Sequence, residues 1–348
     1  MNRRTVTIAI ALLALLLFVS ACGSATSQNS ISVYNWGEYI DEDILSMFTQ
    51  KTGIEVVYDY YANNEEMYAK IKSGGVNYDL CIPSDYMIER MIAEDLLETV
   101  DTSQIPNYAN IDDRFKDLAY DPENKYSVPY VWGTVGILYN TSMVDDPVDS
   151  WDILWNDKYA NQIFMYDSMR DTVGVSLKRL GFSLNTRDVS ELNQARDELI
   201  AQSDLVRAIV GDTVRDSMIG GEAALAVVYS GDALYCIEKN RDLGYAVPKE
   251  GSNVWFDAMV VPKGAKNIEG ALKFIDFLCD PEICLRNVEY IGFSTVNSET
   301  LKLLPEEMTS DPTFWPDDEI YNRCEVFYDL GDFVGEYDRV WTEVLASW

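Results

Sequence analysis

The stretch "ISVYNWGEYIDEDILSMFTQKTGIEVVY", residues 31–58, contains one complete strand–helix–strand unit. Its first residues favour a β-strand that leads into Trp36, and the spacing of its apolar residues predicts an amphipathic helix over 42–52. Gly53 is typical of a helix end in the left-handed conformation. A second strand is expected over 54–58, so the unit predicts a strand, a crossover helix and a neighbouring strand.

The same alternation of short β-prone runs and amphipathic helices continues to the end of the chain. It predicts an α/β protein whose sheets are mostly parallel and flanked by helices. Ligands of such proteins bind outside the carboxyl ends of the strands. The side chains that follow the predicted strands are therefore the first candidates for a site.

The N-terminal segment has the pattern of an export signal. A basic start at Arg3 and Arg4 precedes an uncharged, mostly aliphatic run that is too short to span a membrane. The ending "VSAC" resembles the bacterial lipoprotein box, which implies cleavage before Cys22 and acylation of that cysteine. An ordinary signal peptide with an incidental cysteine is the alternative. Residues 23–30 are small and polar and are expected to form a flexible tether.

The composition excludes several classes of function. The chain of 348 residues has a formal net charge of −31. Without the leader, 58 acidic residues oppose 25 basic ones, about −33 in all, which repels nucleic acid and attracts cations. The sequence contains no histidine, so it cannot form a Ser-His-Asp or Cys-His catalytic group. An enzyme is therefore not expected.

The five cysteines other than Cys22 are odd in number and include no C-x-x-C pair. Their spacing favours neither a disulfide framework nor a zinc site, and most are expected to be buried free thiols. No metal and no cofactor are expected.

Aromatic, acidic and hydroxyl side chains recur at the predicted strand ends. Carboxylates and hydroxyls accept charge-assisted hydrogen bonds from ammonium groups, and aromatic faces suit both methylene chains and cations. None of these strand ends carries a Lys or Arg cluster that would suit an anion. The pattern indicates an organic cation as the ligand. The residues are Trp36, Glu38, Tyr39, Ser84, Tyr86, Asp167, Ser168, Asp171, Tyr229, Trp255 and Asp257.

Each of these residues also has a purely structural interpretation. Trp36 or Trp255 alone is more often a core residue than a ligand platform. Glu38 could be a solvated acid at a helix entry, and Ser84 could be only an N-cap. Asp171 could be a helix-start acid paired with Arg170 or Lys178. Only their co-occurrence at successive strand ends supports a site.

Several longer stretches resemble the bacterial spermidine/putrescine-binding proteins of ATP-binding-cassette (ABC) uptake systems. They are "VYNWGEYIDEDILSMFTQKTGIEVVYDYYANNEEMYAKI", "YDLCIPSDYMIERM", "YSVPYVWGTVGILYN", "VPKEGSNVWFDAMVVPKGAKNIEGALKFIDFL" and "YIGFSTVN". The resemblance implies a two-lobed, hinged fold like that of type II periplasmic binding proteins. One lobe is expected to contain residues 31–134 and 255–304, and the other residues 135–254 and 305–348.

The resemblance also implies a set of ligand contacts. The matching positions are Trp36, Glu38, Tyr39, Ser84, Tyr86, Asp171, Trp255 and Asp257. Four positions differ: Ser168 replaces a usual acid, Tyr229 a usual Trp, Phe293 a usual Tyr, and Phe327 falls near a usual Gln. The loss of an acid is expected to weaken binding of a trication more than binding of a dication.

The expected function is that of a monomeric, membrane-tethered receptor outside the cell membrane, which binds a polyamine and passes it to an ABC permease. A receptor for a sugar or for another organic cation, such as a quaternary ammonium, is the first alternative. A glycosidase is the second, because paired carboxylates with aromatic residues also describe such enzymes.

Overall fold

The computed structural model describes residues 29–211 and 213–348. The predicted export signal, Cys22 and nearly all of the tether lie outside these residues. In the described part of the chain, no helix is both long and apolar enough to span a membrane.

The described residues form ten strands. They are β1 (Ser30–Trp36), β2 (Glu55–Tyr61), β3 (Leu80–Cys81), β4 (Ser127–Asn140), β5 (Ile163–Tyr166), β6 (Val206–Val210), β7 (Leu225–Tyr229), β8 (Leu243–Ala246), β9 (Val254–Val260) and β10 (Ser294–Thr295).

Thirteen α-helices flank these strands in the same part of the chain. They are α1 (Glu42–Thr52), α2 (Asn64–Ser73), α3 (Asp85–Ala93), α4 (Met169–Arg179), α5 (Val189–Ala201), α6 (Val214–Ile219), α7 (Ser230–Lys239), α8 (Ile268–Leu278), α9 (Pro281–Ile291), α10 (Ser298–Leu301), α11 (Glu306–Thr309), α12 (Asp318–Arg323) and α13 (Val334–Leu345).

The first helix illustrates how local sequence determines the elements. Asp41 caps α1 by accepting a hydrogen bond from the backbone N–H of Asp43, and Gly53 ends the helix with a φ of 73°. Ile44 and Phe48 are buried, and the ring of Phe48 packs against Phe274 and Phe277 of α8. The predicted strand–helix–strand unit is confirmed, because β1 and β2 pair in parallel on either side of α1.

The strands form one curled sheet in the order β2-β1-β3-β9-β4-β7-β5-β6, with β8 and β10 paired to β4. The strands run parallel to one another within each of two groups, β2-β1-β3 and β6-β5-β7. Between them β9 and β4 run antiparallel to each other. The α/β class is confirmed, and the sheets are parallel at their outer sides and antiparallel where the two lobes meet.

The long strand β4 was not expected from the local sequence, because Pro129 and two glycines interrupt its apolar pattern. Its first part pairs with β9 and its last part pairs with β7 and β8. A register shift between Pro129 and Val131 accommodates the proline, which cannot donate a backbone hydrogen bond. β4 therefore passes from one lobe to the other, and β9 returns in the opposite direction.

Buried side chains continue across the connection between the lobes. Trp132 of β4 stacks on Phe256 of β9 with ring centroids 6.3 Å apart, and Trp315 meets Trp132 edge to face at 5.3 Å. The strands that carry the site thus rest on a rigid base. The residue limits predicted for the two lobes stay a prediction.

Candidate ligand-binding site

The carboxyl end of β1 supplies the first wall of the candidate site. The indole N–H of Trp36 donates to the carbonyl oxygen of Ile82 at 2.9 Å, and the indole lies 4.7 Å from the ring of Tyr61. Tyr39 is buried, and its hydroxyl donates to Asp257 Oδ2 at 2.7 Å. The stretch "YNWGEY", residues 34–39, therefore places the indole of Trp36 and the phenol of Tyr39 beside the buried carboxylate of Asp257.

Asp257 reaches this wall because β9 runs antiparallel to β3, so the first half of β9 lies at the carboxyl end of β3. There Asp257 forms an isolated bridge with Ser84, the residue that precedes α3. The structure thus places two of the predicted site residues, Ser84 and Asp257, side by side.

The carboxylate of Asp257 is almost completely buried. Burial raises the pKa of Asp257 to about 6, against the lowering effect of the hydroxyls of Tyr39 and Ser84. Its Oδ1 atom is buried without a hydrogen-bond partner among the described residues. A buried acceptor of this kind favours a donor that the ligand brings.

The second lobe supplies Asp171, in the first turn of α4. Its Oδ2 accepts hydrogen bonds from Ser168 Oγ at 2.7 Å and from the Tyr229 hydroxyl at 2.8 Å, and Asn253 Nδ2 lies 3.3 Å from Oδ1. Burial raises the pKa of Asp171, although these hydrogen bonds and the nearby Arg170 lower it. Ser168 is also the N-cap of α4, so it supports Asp171 where the resemblance implied a second acid.

Five aromatic rings connect the two carboxylates in a continuous series. Tyr39 meets Trp36 at 6.4 Å and Phe293 at 5.3 Å between ring centroids. Phe293 meets Trp255 at 5.4 Å, and Trp255 meets Tyr229 at 5.9 Å. All four contacts are edge to face, a favoured geometry for aromatic pairs. The structure thus brings the predicted aromatic residues of both lobes together.

Trp255 has a polar atom available as well. Its indole N–H is buried and has no hydrogen-bond partner among the described residues. Trp255 and Asp257 are two residues apart on β9 and share one face of the strand, as predicted.

Ser84 and Tyr86 form a polar edge with Asn64 of α2. Asn64 Nδ2 donates to Ser84 Oγ and to the Tyr86 hydroxyl, each at 3.1 Å. The Tyr86 hydroxyl in turn donates to Glu65 at 3.0 Å. Ser84 precedes α3 but its side chain makes no capping hydrogen bond, so the structural interpretation of Ser84 as a simple N-cap does not hold.

Glu38 differs from the other predicted acids. Its side chain is 76% exposed, and its Oε2 lies 3.1 Å from Nη1 of Arg215 in α6. Arg215 also contacts Asp232 of α7 at 2.6 Å. The sequence of the strand ends gave no indication of this ion pair, because Arg215 comes from a short helix 177 positions later in the chain.

Phe327 lies at the edge of the site. Its ring centroid is 6.3 Å from that of Tyr86, and the guanidinium of the buried Arg170 lies over its other side at 4.3 Å. Phe327 therefore shields Arg170 and carries no polar group towards the carboxylates.

Residues 43–316 match the family of bacterial extracellular solute-binding proteins. This chain belongs to that family. Over 337 residues it is 36% identical to the spermidine/putrescine-binding periplasmic proteins of Salmonella typhimurium and Escherichia coli, with 96% of each chain covered. The resemblance noted in the sequence is confirmed.

Solved structures agree with the family assignment of this solute-binding protein. A putative spermidine/putrescine ABC transporter protein from Listeria monocytogenes has a TM-score of 0.88 at 43% identity, covering 91% of this chain and 99% of its own. The spermidine/putrescine ABC transporter substrate-binding protein of Streptococcus pneumoniae gives 0.82 at 43% identity, covering 92% and 99%. These neighbours confirm the two-lobed fold.

Sequence reasoning missed several residues of this solute-binding protein's candidate site. Asn64, Asn253, Tyr61 and Arg215 contact the predicted residues but do not directly follow the strands that were surveyed. Asn64 is buried in the first turn of α2, where a polar side chain needs hydrogen-bond partners, and this burial is visible only in the structure.

Five cysteines lie in the described part of the chain. Among the described residues Cys81, Cys236 and Cys279 are buried free thiols, and Cys284 and Cys324 are half-buried and also free. No group of three His, Cys, Asp or Glu side chains in the described part of the chain is placed to hold a metal ion.

Proposed function

We propose that this solute-binding protein captures a polyamine, spermidine or putrescine, between its two lobes and delivers it to an ABC permease. One observation carries the proposal: two buried carboxylates, Asp171 in α4 and Asp257 on β9, are connected by a series of aromatic rings. Because a buried charge is costly unless it is paired, this arrangement favours a ligand with two separated positive charges.

Each group has a role in this proposal. Asp257 Oδ1 accepts from one ammonium group, and Asp171 accepts from another. Trp36, Tyr39, Tyr229 and Trp255 line the methylene chain. Ser84 and Tyr86 add hydroxyls at the Asp257 end, Phe293 supports Tyr39 and Trp255, and Glu38 is the third acid of the cleft.

The relatives support the same ligand class. The relatives from Salmonella typhimurium and Escherichia coli are named as spermidine/putrescine-binding proteins, and a relative from Pseudomonas aeruginosa, 32% identical over 361 residues, is named as a putrescine-binding periplasmic protein. In the proposal the lobes have the limits predicted from the sequence, and the chain acts as a monomer that closes around its ligand by a hinge motion.

Isothermal titration calorimetry with putrescine, spermidine and cadaverine tests this function. We expect saturable binding of at least one of them at a ratio of one ligand per chain. A neutral monosaccharide and choline serve as controls. Binding of a control ligand without binding of any polyamine would overturn the proposal and support one of the alternative receptors.

The alternatives have less support. A neutral sugar would leave two buried carboxylates without positive partners, and one ammonium group would pair only one of them. A glycosidase needs one acid that donates a proton and one that stays ionised, but burial raises the pKa of both Asp171 and Asp257. The protein is proposed to have no catalytic activity.

The place of action follows from the relatives and the N-terminal sequence. Curated relatives are named as periplasmic proteins, which supports a site of action outside the cell membrane. We infer in addition that Cys22 is acylated after cleavage of residues 1–21 and that the lipid tethers the protein to the outer face of the membrane, near the permease.

A further inference from the structure

Arg215 connects two acids that belong to opposite sides of the cleft. Its Nε and Nη2 atoms lie 2.7 and 2.6 Å from Asp232 Oδ1, and its Nη1 lies 3.1 Å from Glu38 Oε2. Glu38 follows β1 in the first lobe, whereas Arg215 and Asp232 belong to α6 and α7 beside β7. The guanidinium of Arg215 thus pairs with the buried Asp232 and with the exposed Glu38 at the same time.

The two acids hold Arg215 with different strength. The Asp232 side chain is only 3% exposed, and a buried carboxylate requires its cation, so this contact fixes the guanidinium in the second lobe. The Glu38 side chain is 76% exposed, and water screens its attraction to Arg215. Arg215 is therefore a fixed cation, and Glu38 is the partner that can be exchanged.

The backbone of Glu38 supports a functional interpretation of this contact. Its φ of 52° lies in the left-handed region, which a residue with a side chain adopts at some cost. In this conformation Glu38 Oε2 accepts a hydrogen bond from Arg215 Nη1 at 3.1 Å. The surrounding structure therefore holds the backbone of Glu38 in a conformation that is unfavourable by itself.

We propose that Arg215 is a specificity-determining residue that occupies Glu38 as an internal cation and so biases the cleft towards diamines. The inference rests on the proposed function, in which Asp171 and Asp257 take two ammonium groups. The third ammonium of a triamine needs Glu38. To reach Glu38, this third ammonium must displace the guanidinium of Arg215, which Asp232 already holds in place. Because Arg215 is fixed inside the protein, it competes for Glu38 at a high effective concentration.

A double variant, R215Q with D232N, tests the proposal. It frees Glu38 without leaving Asp232 as an unpaired buried charge, and it keeps the net charge of the protein unchanged. We expect the affinity for spermidine to rise on the order of fivefold, which is near the upper limit for an exposed ion pair, and the affinity for putrescine to change less than twofold. Calorimetric titrations with spermidine and with putrescine give the ratio of the two affinities.

Two further variants separate this effect from general electrostatics. Adding E38Q to the double variant should abolish the gain for spermidine, because the freed acceptor is then absent. R286Q is the matched control: Arg286 pairs with Asp41 and Asp43, outside the candidate site, and its loss should leave the spermidine-to-putrescine affinity ratio unchanged.

The outcomes are distinguishable. If the double variant loses affinity for both polyamines to the same extent, Arg215 only holds the lobes together and the inference is wrong. An unchanged affinity ratio in a folded double variant, as judged by its thermal unfolding, also overturns it. If the wild-type protein binds neither polyamine, the proposed function fails and this inference fails with it.

Discussion

At the level of single residues, Asp257 carries most of the proposed binding chemistry. It lies on a central strand, accepts one hydrogen bond from Tyr39, and has one oxygen without a partner in the described structure. The pKa of about 6 means that the ionised carboxylate is poorly solvated at neutral pH. The protein thus keeps a costly charge where a ligand ammonium can pair with it.

Replacing Asp257 by Asn should raise stability and lower affinity. The unfolded carboxyl has a pKa near 3.8, so the folded state takes up a proton more readily than the unfolded state. The protonated carboxyl of Asp257 therefore stabilises the folded state at low pH. This stabilisation is lost as the pH rises from about 4 to 6 and the carboxyl ionises. At pH 7.5 we expect D257N to increase the free energy of unfolding by on the order of 1–3 kcal/mol.

Urea unfolding followed by tryptophan fluorescence checks the stability, and titration with putrescine checks the affinity, which should fall at least tenfold. Replacement of the exposed Asp113, which pairs with Lys116, is the control and should change neither quantity much. A less stable D257N protein that binds within a few-fold of wild type would contradict the role given to Asp257.

At the level of elements, the junction between β7 and α7 determines the position of the aromatic rings. Gly231 is the second residue of α7, and a Cβ atom there would lie 2.2 Å from Cδ1 of the Phe293 ring. Phe293 in turn supports Tyr39 and Trp255. A glycine in one lobe therefore allows the close approach on which the aromatic series depends.

Gly231→Ala should displace Phe293 and weaken polyamine binding about tenfold or more, with a loss of stability of about 1–3 kcal/mol from overpacking. Gly335→Ala in α13 is the matched control, because a Cβ there meets nothing within 4 Å. Calorimetry and urea unfolding of both variants supply the comparison. Equal affinities for the two variants would show that Phe293 does not position the site.

The elements also show how far sequence alone could reach. Helices with a strong cap, such as α1 between Asp41 and Gly53, could be predicted to the residue because their signals are local. The long strand β4 could not, since its pairing partners β9 and β7 are far away in sequence. The hydrogen bond between Tyr39 and Asp257 could not be predicted either, because the two residues are 218 positions apart.

At the level of the whole molecule, β4 joins the two parallel groups of strands, because it pairs with β9 at its start and with β7 at its end. The family resemblance implies ligand contacts at most of the acids and rings of the candidate site. It could not predict Arg215, because an ion pair with Glu38 depends on how the lobes come together.

The proposed membrane tether gives a prediction at the same scale. Cys22→Ala should prevent acylation, so that the protein is released from the membrane fraction of the cell that produces it while its polyamine affinity stays unchanged. Cell fractionation followed by titration of the purified protein measures both. If the variant remains in the membrane fraction to the same extent as wild type, the tether is not a lipid on Cys22.

The most direct test of the central claim is the number of protons released when putrescine binds at pH 6. Asp257 is then about half protonated in the free protein, and an ammonium beside it lowers its pKa. Calorimetry in two buffers of different ionisation enthalpy should give a release of about half a proton or more per ligand, and D257N should release about half a proton less. Tight binding without proton release, or equal release by wild type and D257N, would contradict an ion pair between the ligand and Asp257.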